Sequence, residues 1–292
     1  MTKQITVLIG DKGTSGERFV EQMTQHSNDT YVLRRYADIA VIIKDGNVRC
    51  VYMDDQTDVA SADLVYLRGI TYEPLRHALA AYLDAKGVKL VNSESLRYQT
   101  MSKLEQYVTL ALAGVPVPDS VFVSRPDYYS KVSDLLGNEF PIVAKSITGS
   151  NGRDNELLTS QSELDQLDME QPIFQAFIPN QFDYRVIVAD DHVSLAYKRI
   201  RNASGENYKN NIAQGGRREM VELPAELQDI AIRAAHAVGR EFCGLDILTS
   251  SETGCSIVLE VNFNFGTPVF DSEDAEASYY GDLSAYFARL MQ

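Results

Sequence analysis

Apolar positions in the first ninety residues fall into short blocks. Ile5-Thr-Val-Leu-Ile9 ends at Gly10-Asp11-Lys12-Gly13, Asp63-Leu-Val-Tyr-Leu-Arg68 follows, and Val88-Lys-Leu-Val91 is a third. Runs of this length bounded by turn residues predict buried strands. Between the last two, Leu75, Leu79 and Leu83 recur every four residues, the spacing of one helix face. Strands alternating with a helix predict a small parallel sheet. Ala37 to Tyr52, interrupted by Asp45-Gly46, predicts a hairpin inserted into that unit. Leu104, Val108 and Leu112 mark a helix over Ser102–Ala113 that stops at Gly114, with Pro116 and Pro118 beyond it. Ser102 and Glu105 have the spacing of a capping box. Ile142-Val-Ala-Lys145 and Pro172-Ile-Phe-Gln-Ala-Phe-Ile178 read as strands. Beyond them the pattern predicts strands at Tyr184–Ala189 and Val193–Arg199, a helix over Ala225–Arg240, and a tail helix over Asp282–Met291. The order is α+β with an α/β beginning, and the expected divisions are 1–92, 93–182 and 183–292.

Charge narrows the function. The 292 residues carry 27 basic and 41 acidic side chains, a net charge of −14. So acidic a chain is a poor general ligand for nucleic acid or an anionic membrane. Cys50, Cys243 and Cys255 are far apart and form no CxxC. They predict neither a disulfide framework nor a zinc site, and read as small buried hydrophobes in a reducing compartment. His26, His77, His192 and His236 are scattered, so the sequence shows no histidine metal cluster. No apolar run approaches the ~18 residues of a membrane span, and Ile5–Ile9 is too short for a signal-peptide core. The expected location is the cytoplasm.

Candidate chemistry starts with two apolar strands that contain isolated acids, Cys243-Gly-Leu-Asp-Ile-Leu-Thr249 and Ser256-Ile-Val-Leu-Glu-Val-Asn262. A hairpin closed by Ser250-Ser-Glu-Thr-Gly254 sets Asp246 opposite Glu260, and Asn262 shares the face of Glu260. Facing carboxylates on apolar strands call for a cation between them, and oxygen-only donors suit Mg²⁺; a solvent-facing polar stripe is the alternative. Lys198 to Arg218 holds Lys198, Arg199, Arg201, Lys209, Arg217 and Arg218 against one acid, Glu206. Such a patch beside a metal site fits a polyphosphate or a carboxylate being activated. Lys145 closes an apolar strand just before Thr148-Gly-Ser-Asn-Gly152, whose glycines would let backbone N–H groups approach a phosphate. Lys103 sits in the first turn of its helix, against the helix dipole.

Together these segments resemble the ATP-grasp superfamily, with its glutathione synthetase-like ATP-binding fold, and within it the RimK-like carboxylate–amine ligases. The resemblance covers Ser93 to Val269. It runs through Lys103, Ala113-Gly-Val-Pro-Val-Pro118, Lys145 with Gly149-Ser-Asn-Gly152, the linker Gln175-Ala-Phe-Ile178, Asp183-Tyr-Arg-Val186, Lys198-Arg199, Asn211-Ile-Ala-Gln-Gly-Gly216, and the set Asp246, Glu260, Asn262. It implies an ATP-grasp fold behind an N-terminal Rossmann-like domain. It implies a ligase in which a carboxylate attacks the γ-phosphate of ATP, an amine then attacks the acylphosphate, and ADP and phosphate leave. In that reading Asp246, Glu260 and Asn262 hold Mg²⁺, with Mn²⁺ able to replace it. Lys103 and Lys145 hold the α- and β-phosphates, and Gly149, Ser150 and Gly152 cover them. Gln175, Ala176, Phe177 and Ile178 contact adenine, the backbone groups of Ala176 and Phe177 above all, and Asp183 lies near the nucleotide. Arg199, with Lys209 and Asn211, holds the transferring phosphoryl group. The implied partners are small-molecule, amino-acid or peptide substrates, with no nucleic acid and no membrane, and assembly as a homo-oligomer is compatible.

Three departures from the family pattern bear on substrate choice. Ala176 replaces the linker acid, and Asp154, within Arg153-Asp-Asn155, replaces the third loop glycine. After Asn262 the chain reads Phe263-Asn-Phe-Gly-Thr-Pro268 where relatives read Ser-Pro-Gly, and this stretch is expected near the substrate. Asp45-Gly-Asn-Val-Arg-Cys-Val-Tyr52 and Asp63–Arg68 resemble the start of graspetide-type peptide ligases, which cross-link side chains of ribosomal peptides. Arg68 reads equally as a ligand for a substrate carboxylate or as a surface arginine. A nucleotide-binding regulatory protein that lost turnover is the alternative from another class. The acid–acid–amide set and Arg199 favour the ligase, and no histidine relay of ATP-grasp kinase chemistry is evident.

Overall fold

The structure, a computed structural model, describes residues 2–10, 15–44, 47–68, 73–92, 96, 102–137, 140–147, 155–200, 217–266, 268 and 270–292. The expected loop with Gly149, Ser150 and Gly152, and the segment with Lys209 and Asn211, lie outside these residues.

The chain begins with β1 (Gln4–Ile9), α1 (Ser15–Gln25), β2 (Thr30–Arg35), the hairpin β3 (Ile39–Lys44) and β4 (Asn47–Tyr52), β5 (Leu64–Leu67), α2 (Glu73–Ala85) and β6 (Lys89–Val91). Strands β2, β1, β5 and β6 form one parallel sheet in that order. Then come α3 (Lys103–Leu112), β7 (Ser120–Phe122), α4 (Val132–Leu136), β8 (Ile142–Lys145), β9 (Asn155–Leu158), α5 (Gln161–Asp165) and β10 (Ile173–Ala176). Their sheet is antiparallel, in the order β7-β10-β8-β9. The rest is β11 (Phe182–Ala189), β12 (His192–Ile200), β13 (Arg217–Met220), α6 (Ala225–Ala237), β14 (Phe242–Thr249), β15 (Ser256–Asn262) and α7 (Glu273–Leu290). Its sheet is antiparallel, ordered β13-β12-β11-β14-β15.

The predicted capping box closes the start of α3: Glu105 N–H donates to Ser102 Oγ at 3.2 Å, and Ser102 N–H donates to Glu105 Oε2 at 2.8 Å. The helix ends before Gly114, whose φ of +69° is a left-handed turn that glycine makes without Cβ strain. The tail helix starts nine residues earlier than its apolar spacing predicts. Ser272 caps it by accepting from Ala275 N–H at 3.1 Å, and Glu273, Asp274 and Glu276 favour its positive end.

One core joins the first and third sheets. Ile5, Val7, Ile9, Leu64 and Tyr66 pack with Ile187, Phe242 and the α7 residues Tyr279, Tyr280, Leu283, Tyr286 and Phe287. The Asn92 side chain spans the same junction, donating to Phe242 C=O at 2.8 Å and accepting from Phe242 N–H at 2.6 Å. The other face of the third sheet packs on α6 through Val186, Val188, Leu245, Ile247 and Val261 against Leu227, Ile230, Ala231 and Ala234. Cys50 and Cys243 are buried as expected, but Cys255 is exposed in the β14–β15 turn region. No helix among the described residues is long and apolar enough to cross a membrane.

Candidate active site

The third sheet turns one polar face away from α6. Asp183 pairs with Arg199 across β11 and β12, and Arg185 pairs with Asp246 across β11 and β14. Asp246 lies opposite Glu260, and Gly244 opposite Asn262, as the hairpin register predicts. Residues opposed across strands, or two apart along one, share a face. Asp183, Arg185, Arg199, Asp246, Glu260 and Asn262 therefore converge on one surface. Beyond Asp246 a bulge shifts the register. A Cβ on Gly244 would stand 2.6 Å from Phe265 Cβ and 3.1 Å from Arg185 Nη1, so a bare glycine is what lets both approach.

Charges on this face are tightly balanced. Arg199 donates from Nε to Asp183 Oδ1 at 2.5 Å and places Nη2 3.1 Å from Asp246 Oδ1. Arg185 Nε lies 2.7 Å from the same Asp246 oxygen. Burial works against the Arg199 charge, yet Asp246 and Asp183 outweigh it and hold the guanidinium protonated at every accessible pH. No ion pair reaches Glu260 among the described residues. Lys198 points to the other face, over the rings of Phe182 at 4.7 Å and Tyr184 at 5.9 Å, so the double-basic pair splits between the two sides of β12.

Helix α3 closes the site from above the third sheet. Gln106 donates to Val261 C=O at 3.1 Å and accepts from Val261 N–H at 2.7 Å, and Tyr107 donates to Leu259 C=O at 2.8 Å. Both backbone neighbours of Glu260 are thus fixed by one helix. From the same helix Lys103 Nζ donates to Ser146 C=O at 3.3 Å, beside Lys145 at the end of β8. Burial pulls the Lys145 ammonium down to about 8; Lys103 adds to that, while Glu260 and Asp246 partly oppose it. The linker after β10 is held by contacts within the protein. Gln175 is buried and donates to Ser120 Oγ at 2.8 Å, so its side chain supports the strand. Ala176 N–H donates to Asp119 C=O at 3.1 Å and Phe177 N–H to Pro141 C=O at 3.3 Å, which leaves their carbonyls as the backbone groups available to a nucleotide.

The sequence profile of the RimK-like ATP-grasp domain matches residues 100–276, more than half of the chain. This chain belongs to the RimK-like ATP-grasp family. A probable alpha-L-glutamate ligase of Vibrio atlanticus is 30% identical over 199 residues, 65% of this chain and 64% of that protein. Beta-citrylglutamate synthase B of Mus musculus is 28% identical over 220 residues, 72% of this chain and 55% of its own. The chain spans about 55–64% of the length of these curated relatives. Among solved structures, the ATP-grasp ligase PsnB complexed with minimal precursor, Mg and ADP superposes with a TM-score of 0.73 at 20% identity, covering 100% of this chain and 99% of that one. The macrocyclase MdnC of Microcystis aeruginosa, bound with precursor peptide MdnA, gives 0.69 at 12% identity, covering 94% and 98%. The ATP-grasp fold is the expected one.

In this ATP-grasp chain the structure brings Lys103, Lys145, Asp183, Arg199, Asp246, Glu260 and Asn262 to one region, spread over α3, β8, β11, β12, β14 and β15. Sequence reasoning passed over Arg185, Gln106 and Tyr107 as site residues. Arg185 was visible by alternation, being two residues from Asp183. Gln106 and Tyr107 act on backbone atoms of a distant strand, which leaves no local signal. One of the scattered histidines sits in a surface charge group. His236 Nε2 lies 3.3 Å from Asp191 Oδ1 and 3.9 Å from Asp190 Oδ1 near the β11–β12 turn, where Arg289 also reaches Asp190 at 3.4 Å. The group is exposed and forms a surface charge network at the far end of β11.

Proposed function

We propose that this chain is an ATP-dependent carboxylate–amine ligase that makes an amide bond through an acylphosphate and releases ADP and phosphate. The supporting observation is the in-register Asp246–Glu260 pair with Arg199 bridging Asp246 to Asp183. Asp246, Glu260 and Asn262 offer oxygen donors that fit Mg²⁺, and Glu260 acts on the nearby Lys145 ammonium without an ion pair among the described residues. Bound there, Mg²⁺ supplies charge neutralisation to phosphate oxygens. Lys103 and Lys145 hold the α- and β-phosphates in this reading, with the loop carrying Gly149, Ser150 and Gly152 over them. Ala176 and Phe177 have their donors engaged within the protein, so what they bring to adenine is acceptors. Arg199 exchanges its Asp246 contact for the γ-phosphoryl oxygens. Its planar fork holds two oxygens as the phosphoryl group moves to the substrate carboxylate. Lys209 and Asn211 complete the grip on the acylphosphate. The amine then attacks the acyl carbon, phosphate leaves, and no protein nucleophile takes part.

A peptide substrate is a second reading. It draws on the solved ATP-grasp ligases bound to precursor peptides, PsnB and MdnC among them, whose fold superposes on 94–100% of this chain. One assay tests both. The purified protein is given Mg²⁺-ATP with amino acids, amino dicarboxylates and acidic peptides, and the nucleotide products are separated. ADP and phosphate in equal amounts, dependent on one acid and one amine, are expected. AMP and pyrophosphate would overturn the acylphosphate mechanism.

A further inference from the structure

Arg68 and Arg76 are buried, with 6% and 8% of their surface exposed. Neither enters an ion pair with a described residue, and Arg76 Nε and Nη2 are buried without a hydrogen-bond partner. The Tyr36 and Tyr66 hydroxyls are buried beside these guanidiniums and find no acceptor for their own protons. Burial pushes both phenols up, so they remain donors; the groups that act on them are Arg68, Arg76, each other, Tyr52 and Cys243, with no carboxylate among them. Two cations and two hydroxyl donors are gathered where, among the described residues, no carboxylate meets them. A buried guanidinium without an anion is strongly unfavourable, and such an arrangement persists where a ligand completes it.

The position of the cluster says which ligand. Arg76 lies 4.2 Å over the Phe263 ring, and Phe263 directly follows Asn262 at the end of β15. Arg68 directly follows β5, 4.8 Å over Phe19. The cluster therefore adjoins the polar face of the third sheet from the side of the first. In the proposed reaction the phosphates are served by Lys103, Lys145 and Arg199, so the remaining anion is a carboxylate. We propose that Arg68 and Arg76, with Tyr36 and Tyr66, form a pocket for a substrate carboxylate that is bound but not phosphorylated. Its source is the second carboxylate of an amino dicarboxylic acid or an acidic side chain of a peptide, and planar guanidiniums suit either. The word substrate rests on the ligase reading; the affinity for a carboxylate does not.

Calorimetry on the full-length protein tests this with L-glutamate, glutarate and a Glu-Glu dipeptide as probes, with L-glutamine and inorganic phosphate as controls. Binding of a non-hydrolysable ATP analogue with Mg²⁺ is measured in parallel. A carboxylate probe is expected to bind at least about 10-fold more tightly than either control. The tighter of the free amino acid and dipeptide arms identifies the source. Arg76→Met and Arg68→Met should each weaken that binding about 10-fold or more and leave the nucleotide affinity unchanged. Ligand-free Arg76→Met should melt at or above the wild-type temperature, because it removes an unpaired charge and keeps an apolar stem. Carboxylate binding that is unchanged in both variants overturns the proposal. So does an Arg76→Met protein that melts lower or fails to fold, since Arg76 would then be a packing group for Phe263. Tighter binding of phosphate than of every carboxylate overturns it as well. If nucleotide binds and no carboxylate does, the pocket fails and the ligase reading stands. If a carboxylate binds through Arg68 and Arg76 and nucleotide does not, the ligase reading fails and the pocket stands.

Discussion

Arg199 uses two edges of its guanidinium on two carboxylates, Nε on Asp183 and Nη2 on Asp246. Lysine can satisfy one of these at a time. In the proposed reaction Arg199→Lys is therefore expected to lower kcat by about 10²-fold or more, because there the lost fork would act on the moving phosphoryl group. Nucleotide affinity should change little, since Lys103 and Lys145 remain, and paired titration and steady-state rates check the split. An affinity that collapses at unchanged kcat would make Arg199 a ground-state anchor. Lys145 gives a pH signature. Its folded value is about 8 against an ordinary 10.5, so between those pH values the unfolded chain holds more protons and stability rises with pH. Below pH 8 the burial penalty is fully present. Phosphates beside the ammonium reverse the shift, so nucleotide binding near pH 8 should take up a proton. Calorimetry in buffers of different ionisation enthalpy reads that uptake, and its absence would place Lys145 away from the phosphates. At this scale the facing of Asp246 and Glu260 was legible from two acid-bearing strands joined by a short turn, but the bulge that creates it was not: the pairs next to the turn, Thr249 with Ser256 and Ile247 with Val258, alone would set Asp246 opposite Leu259. The engagement of Gln175 and of the Ala176 and Phe177 N–H groups was not, because their partners come from strands and loops far away in sequence.

Helix α3 ties two sheets to one site, through Gln106 and Tyr107 to β15 and through Lys103 to Ser146 after β8. Gln106→Leu keeps the volume but leaves Val261 N–H buried without its acceptor. The expected loss is about 1–3 kcal/mol, read as a lower midpoint in urea at unchanged slope. Wild-type stability in that variant would mean that the two amide bonds add nothing beyond packing. The helix itself was plain in the sequence, since its capping box, its apolar spacing and Gly114 agree. So were β1, β5, the β3–β4 hairpin and the two long strand pairs of the third sheet. Strands β7, β9 and β13 escaped because Ser120-Val-Phe122, Asn155-Glu-Leu-Leu158 and Arg217-Arg-Glu-Met220 lack the apolar block that marked the equally short β6 and β8, and Asn155-Glu-Leu-Leu158 becomes a strand because β8 offers it an edge. The first half of α7 escaped for another reason. Its buried Tyr279 and Tyr280 are adjacent, and adjacent apolar residues do not announce a helix face.

Across the whole molecule, the first and third sheets share a single core with α7 within it. Nothing in the order of strands along the chain revealed this, because the contacts join residues near one end to residues near the other. A fragment of residues 93–292 would leave Phe242, Tyr279, Tyr280 and Phe287 without the side chains of β1 and β5 that cover them. Such a fragment is expected to aggregate or to lose its cooperative melting transition. A soluble fragment with a sharp transition would show that the third sheet closes its own core. The same arrangement sets an order of events at the ribosome. Domains ordinarily fold in sequence as synthesis proceeds, the earliest first. Here β1 is translated long before α7, the helix that covers it. Until α7 has been made, the apolar face of β1 stays open to whatever the cell provides to shield it.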